Sequence, residues 1–101
     1  MRFNDHLEIS DSSLSAWCRR WGVRRLSVFG SILRTDFSSE SDIDWLVEFE
    51  EERAFGLLAM ARMQQELADL CARPVDLVPR EWLKPAIRDA VLASAQVIHA
   101  Q

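Results

Sequence analysis

At 101 residues the chain is long enough for one domain whose folding removes roughly 65% of its unfolded surface from water. Hydrophobic residues at 49% and charged residues at 28% exclude collagen-like, disordered and coiled-coil classes. The net charge of −4, from 12 basic and 16 acidic residues, argues against a stand-alone nucleic-acid binder, which normally carries a basic face.

From the N-terminus, the polar start Met1-Arg2-Phe3-Asn4-Asp5 is not a signal peptide, and a cytoplasmic location is expected. Ser10-Asp11-Ser12-Ser13 supplies helix N-caps, and Leu14, Trp17, Cys18 and Trp21 recur at helical spacing until Gly22 offers a stop. This predicts a helix over Ser12 to Trp21. Arg25 to Phe29 has strand composition and ends at Gly30-Ser31, with Ile32-Leu33-Arg34 forming a short helical turn. Thr35 to Ser41 reads as a polar loop. From Asp42 the period becomes two, with Ile43, Trp45, Val47 and Phe49 on one face and Asp42, Asp44, Leu46 and Glu48 on the other.

A long amphipathic helix is predicted from Ala54 to about Cys71, with Phe55, Leu58, Ala59, Met63, Leu67, Leu70 and Cys71 on its apolar side. The longest uncharged apolar run, Ala54 to Ala61, falls far short of the roughly 20 residues of a membrane span, so no membrane association is expected. Pro74 to Pro79 forms a short strand, Lys84-Pro85 opens a last helix carrying Ile87, Val91 and Leu92, and Val97-Ile98 forms a final strand. The fold class expected is α/β (α+β): a small mixed β-sheet flanked by helices. Cys18 and Cys71 lack metal spacing and read as reduced structural thiols.

Residues 35 to 52 hold eight acids and no base, so this stretch is either a solvated loop or a cation site. Asp42 and Asp44, two apart on a strand, project from one face about 6 to 7 Å apart and can share divalent cations. Asp76, facing opposite to Val75 and Leu77, is a strand-borne acid whose burial would cost several kcal/mol unless it were neutralised. If the strands at Arg25–Phe29 and Asp42–Phe49 are antiparallel, and the latter is joined to Val75–Val78 by a parallel crossover, all three acids meet Gly30-Ser31 at one sheet edge. There, Mg2+ accepts oxygen ligands and leaves positions for phosphate. Gly30 permits close approach of a triphosphate, and Ser31 adds a hydroxyl and an N–H group. Arg34 either reaches the same anion or pairs with Asp36 or Glu40. A Walker loop is absent. Taken singly these features are weak, and Ser41-x-x-Asp44 alone would also suit a helix capping box.

Together, Phe29-Gly30-Ser31, Arg34, Ser41 to Phe49 and Val75-Asp76-Leu77-Val78 resemble the minimal nucleotidyltransferase (MNT) branch of the DNA polymerase beta superfamily. Its signature is GS, ten residues and DxD, and ten residues, Ile32 to Ser41, intervene here. Thr35 stands where many members have glycine. The resemblance implies a polymerase-beta-like nucleotidyltransferase fold and a single domain over residues 1–101. It further implies two Mg2+ ions on Asp42 and Asp44, with Asp76 completing the metal site and helping to activate the attacking hydroxyl, and Gly30 with Ser31 holding the β- and γ-phosphates of ATP.

The catalytic core leaves no room for an acceptor domain, and the acidic balance disfavours a nucleic-acid acceptor. The resemblance therefore implies the antitoxins of HEPN/MNT toxin–antitoxin pairs, which transfer AMP from ATP to a tyrosine of a HEPN-domain ribonuclease. The alternative is a non-catalytic nucleotide-binding antitoxin that covers its toxin. Arg19, Arg20, Arg24 and Arg25 offer one candidate contact surface, and the tryptophans another.

Overall fold

The computed structural model describes residues 1–35, 37, 38, 40–50 and 55–101. Two short strands, β1 (Arg2–Asn4) and β2 (Leu7–Glu8), pair antiparallel ahead of helix α1 (Asp11–Trp21). The α1 boundaries follow local chemistry. The Ser10 hydroxyl accepts a hydrogen bond from the Ser13 N–H, Asp11 lies in the positive first turn and Arg19 and Arg20 in the negative last one. Gly22, at φ 68°, ends the helix in the left-handed conformation.

Strand β3 (Val23–Phe29) runs into a 3-10 turn, Gly30–Leu33, followed by β4 (Ile43–Phe49), α2 (Leu57–Cys71) and β5 (Val75–Pro79). A second 3-10 turn, Arg80–Trp82, leads to α3 (Pro85–Ser94) and β6 (Gln96–Ala100). The sheet order is β5-β4-β3-β6, with β3 antiparallel to β4 and β6, and β4 parallel to β5. This is the mixed sheet with flanking helices expected from the sequence, including the antiparallel pair and the parallel crossover.

Ile43, Trp45, Val47 and Phe49 of β4 are buried in one cluster with Leu14, Trp17 and Cys18 of α1 and Met60, Met63, Leu67 and Cys71 of α2. Burial of such side chains stabilises by about 1.5–3 kcal/mol each. The opposite face of β4 carries Asp44, Leu46 and Glu48, and Leu46 is buried outside that cluster. Cys18 and Cys71 are free and buried, and burial pushes the pKa of each thiol up to about 12, which keeps it protonated, as expected of structural cysteines.

Several elements differ from the sequence reading. The β1–β2 hairpin was not predicted, although Leu7 of β2 and Ile9 just after it are core residues. Helix α2 begins at Leu57, and the expected start at Ala54 lies outside the described residues. Its buried face passes through Met60, while Leu58 is 89% exposed. Helix α3 buries none of its residues, Ile87, Val91 and Leu92 included. Among the tryptophans only Trp82 is exposed, Trp17 and Trp45 being core.

Helix α2 ends on Ala72 with φ 54°, the one non-glycine residue at positive φ among those described. An L side chain there costs about 1–2 kcal/mol. Ala72→Gly is expected to raise stability by about 1 kcal/mol after the added freedom of the unfolded glycine is subtracted, measurable by urea denaturation.

Candidate active site

Gly30 closes β3 at φ +71°, a conformation a glycine adopts without strain. A Cβ built on it would stand 2.6 Å from Asp44 Oδ2, so the missing side chain is the space that the Asp44 carboxylate occupies. The Arg34 N–H donates to the Ser31 carbonyl at 3.0 Å, closing the 3-10 turn. The strand register sets the rest. Phe29 lies opposite Asp44 on the antiparallel side, and Asp76 lies opposite Asp44 on the parallel side, which puts their backbones one strand spacing apart, about 4.8 Å.

Asp44 is half-buried and therefore feels its neighbours strongly. Its pKa lies above the ordinary carboxylate value, first because of lost hydration and then because of the negative charge of Asp76. The Ser31 backbone N–H, hydrogen-bonded to the carboxylate, pulls it down; Asp42 raises it and Arg34 lowers it. Asp42, Asp44, Asp76, Gly30 and Ser31 thus lie at one edge of the sheet, as expected, and Arg34, whose partner the sequence left open, acts on Asp44 electrostatically there.

Two details correct the expectation. Asp76 is exposed, so it bears no burial cost, and Asp42 is exposed and precedes β4. Among the described residues no group of three His, Cys, Asp or Glu side chains is arranged as a ready cation cage.

Farther along the same face, Glu48 is buried between Arg25 Nη1 at 3.7 Å and Arg80 Nε at 3.9 Å. Its charge is balanced by β3 and the second 3-10 turn, away from the acids at the edge. Arg25 therefore belongs to the sheet face, and Arg20 pairs with Glu66 at 3.4 Å; the arginine cluster read as one contact surface is divided between two faces. A further arginine, Arg73, donates to the Ser38 and Ser41 carbonyls beside Asp42. No motif in the sequence singles it out.

The raised pKa has a consequence for stability. The native state holds the Asp44 proton more tightly than the unfolded chain, so the destabilisation is fully present above the folded pKa and fades as pH falls through it toward the unfolded value. Asp44→Asn is expected to melt higher than the parent protein at pH 7 in the absence of metal and nucleotide, with the difference shrinking near pH 4; thermal unfolding at the two pH values checks this.

The nucleotidyltransferase domain family matches residues 11–98. Protein adenylyltransferase MntA of Thermococcus cleftensis is 41% identical over 73 residues, covering 72% of this chain and 72% of that protein. A toxin–antitoxin crystal structure with AMP-PNP superposes with TM-score 0.73 at 19% identity, covering 92% of this chain and 75% of that one. A complex of tri-AMPylated Shewanella oneidensis HEPN toxin with MNT antitoxin contains a chain that superposes with TM-score 0.65 at 20% identity, covering 89% of this chain and 69% of that one. The fold is that of this class of transferases. The chain belongs to the nucleotidyltransferase domain family and is an enzyme of that class. Among the described residues no helix is long and apolar enough to cross a membrane.

Proposed function

We propose that this chain is a Mg2+-dependent protein adenylyltransferase that transfers AMP from ATP to a tyrosine hydroxyl of a HEPN-domain toxin, and so acts as its antitoxin in the cytoplasm. The observation that carries the proposal is the register that sets Asp76 opposite Asp44, with Asp42 two residues before it, beside a turn whose first residue has no side chain. The chain is read as a single minimal nucleotidyltransferase domain over residues 1–101. The relative named protein adenylyltransferase, the AMP-PNP complex and the AMPylated toxin complex support the donor, the group transferred and the partner.

The donor set suits Mg2+. It consists of carboxylates alone, hard oxygen ligands that this cation prefers. Asp76 is exposed and lies opposite Asp44 in the parallel register, while Asp42 is exposed two residues before it, so both exposed carboxylates would turn toward Asp44 to hold the cation. Bound there, two cations would neutralise the triphosphate and the charge developing at the α-phosphorus.

Each residue then has a task. Gly30 leaves the backbone open to the β- and γ-phosphates, and Ser31 contributes its hydroxyl. Arg34 adds positive charge on the phosphate side. Asp42 and Asp44 are the metal ligands, and Asp76 completes the site. As the tyrosine oxygen bonds to the α-phosphorus, Asp76 accepts its proton, the bond to the bridging oxygen breaks and pyrophosphate departs.

The test is neutralisation in cells. Co-expressed with its HEPN partner, the parent chain is expected to restore growth and the Asp42→Asn/Asp44→Asn variant to fail. Full protection by a stably expressed variant would mean that the chain neutralises by covering the toxin, and would overturn the catalytic reading.

A further inference from the structure

We propose that Arg73 is a positioning residue for the reaction: its guanidinium clamps the Ser38 and Ser41 carbonyls just ahead of β4, and thereby sets the position of Asp42. The inference rests on the metal role proposed above for Asp42 and adds the residue that fixes it.

Arg73 lies in the short connection between α2 and β5, three residues before Asp76. Its Nη2 donates to the Ser38 carbonyl at 2.9 Å and to the Ser41 carbonyl at 3.1 Å. Its Nη1 donates to the His6 carbonyl at 3.4 Å, in the β1–β2 turn. The guanidinium carbon Cζ lies over the Phe37 ring, 4.9 Å from its centroid, and that ring is buried and touched edge-on by the His6 ring. One side chain thus ties together the N-terminal hairpin, the loop and its own connection. The Ser41 carbonyl belongs to the peptide bond that carries Asp42, so holding that oxygen fixes the plane from which the Asp42 side chain projects. Backbone bonds close the same unit: the Ser41 N–H donates to the Ser38 carbonyl at 3.1 Å, and the Ile43 N–H to the Pro74 carbonyl at 3.1 Å.

The chemistry calls for arginine. A planar fork of donors satisfies several carbonyls while its face rests on an aromatic ring, whereas a lysine ammonium is a compact charge that cannot reproduce both contacts. Asp42 needs such support because it is exposed and lies just before β4 rather than within it. Groups that orient a metal ligand typically carry tenfold to a hundredfold in metal affinity.

The experiment compares the full chain with Arg73→Ala and Arg73→Lys, each verified as folded by circular dichroism. Amide hydrogen exchange of residues 37–43 without ligand reads the clamp itself. Mn2+ binding in the presence of α,β-methylene-ATP, followed by electron paramagnetic resonance, reads its consequence. Both variants are expected to exchange faster in this segment, and Arg73→Ala to bind Mn2+ roughly tenfold to a hundredfold more weakly. Arg73→Lys is expected to fall between, and low-millimolar methylguanidinium to restore part of the affinity of Arg73→Ala, a rescue that a general loss of stability would not give.

Unchanged exchange in Arg73→Ala would overturn the clamp. Faster exchange with unchanged Mn2+ affinity would overturn the positioning role. A parent protein that binds no Mn2+ with the nucleotide analogue would instead overturn the metal role of Asp42, and this inference with it.

Discussion

Replacing Asp44 with asparagine is expected to reduce AMP transfer by at least roughly a thousandfold while leaving the chain folded. Asp44 stands at the centre of the site, opposite Phe29 on one side and Asp76 on the other, with the Ser31 N–H bonded to its carboxylate. Losing a carboxylate ligand from a phosphoryl-type transfer removes several kcal/mol of transition-state stabilisation, and about 1.4 kcal/mol corresponds to each factor of ten in rate. The fold is expected to survive because no hydrophobic contact is removed and a repelled charge is. Transfer rate and melting temperature therefore move in opposite directions: the variant is inactive and, without ligands, more stable at neutral pH. Steady-state transfer with saturating ATP and Mg2+, beside thermal unfolding of the same preparation, checks both halves. An asparagine variant within a factor of ten of the parent rate would remove Asp44 from the chemistry.

Gly30→Ala is expected to cost stability modestly and activity severely. The modest part is conformational: φ +71° charges an L residue about 1–2 kcal/mol. The severe part comes from position. The added Cβ would meet Asp44 Oδ2 at 2.6 Å, and the flexible end of that side chain gives way more easily than the strand does. The clash is expected to be relieved by moving the carboxylate proposed as a metal ligand, away from the Ser31 N–H, and the turn proposed to hold the phosphates narrows at the same time. A loss of at least roughly a hundredfold in kcat/KM, equivalent to about 3 kcal/mol, is expected with a KM for ATP that also rises. Ala72→Gly is the opposing control, since at that position the same kind of backbone angle carries a side chain and the exchange relieves strain.

The placement of the candidate site's residues was more legible in the sequence than the packing around them. The alternation from Ile43 to Phe49 fixed which face of β4 carries Asp44, because a strand with one face on the core specifies its register strongly. The order of strand, helix and strand between Asp42 and Val78 required a parallel crossover, and that crossover is what sets Asp76 beside Asp44. The N-terminal hairpin escaped because strands of three and two residues are too short to display a period. The face of α2 was misread at Leu58 and Met60, where several apolar residues in succession suit more than one helical phase. Helix α3 has the composition of a core helix, yet Ile87 is exposed and Val91 and Leu92 are only partly buried. The contacts of Arg73 are donations to loop carbonyls, which any residue supplies, and so they leave no pattern of residue types to read.

The most direct test of the account is the intact mass of a HEPN-domain partner from the same genome after incubation with this chain, ATP and Mg2+. The account predicts that the partner gains whole AMP units on tyrosine and that the Asp42→Asn/Asp44→Asn variant adds none. An unmodified partner held in an inhibited complex would contradict it, and would assign neutralisation to binding alone.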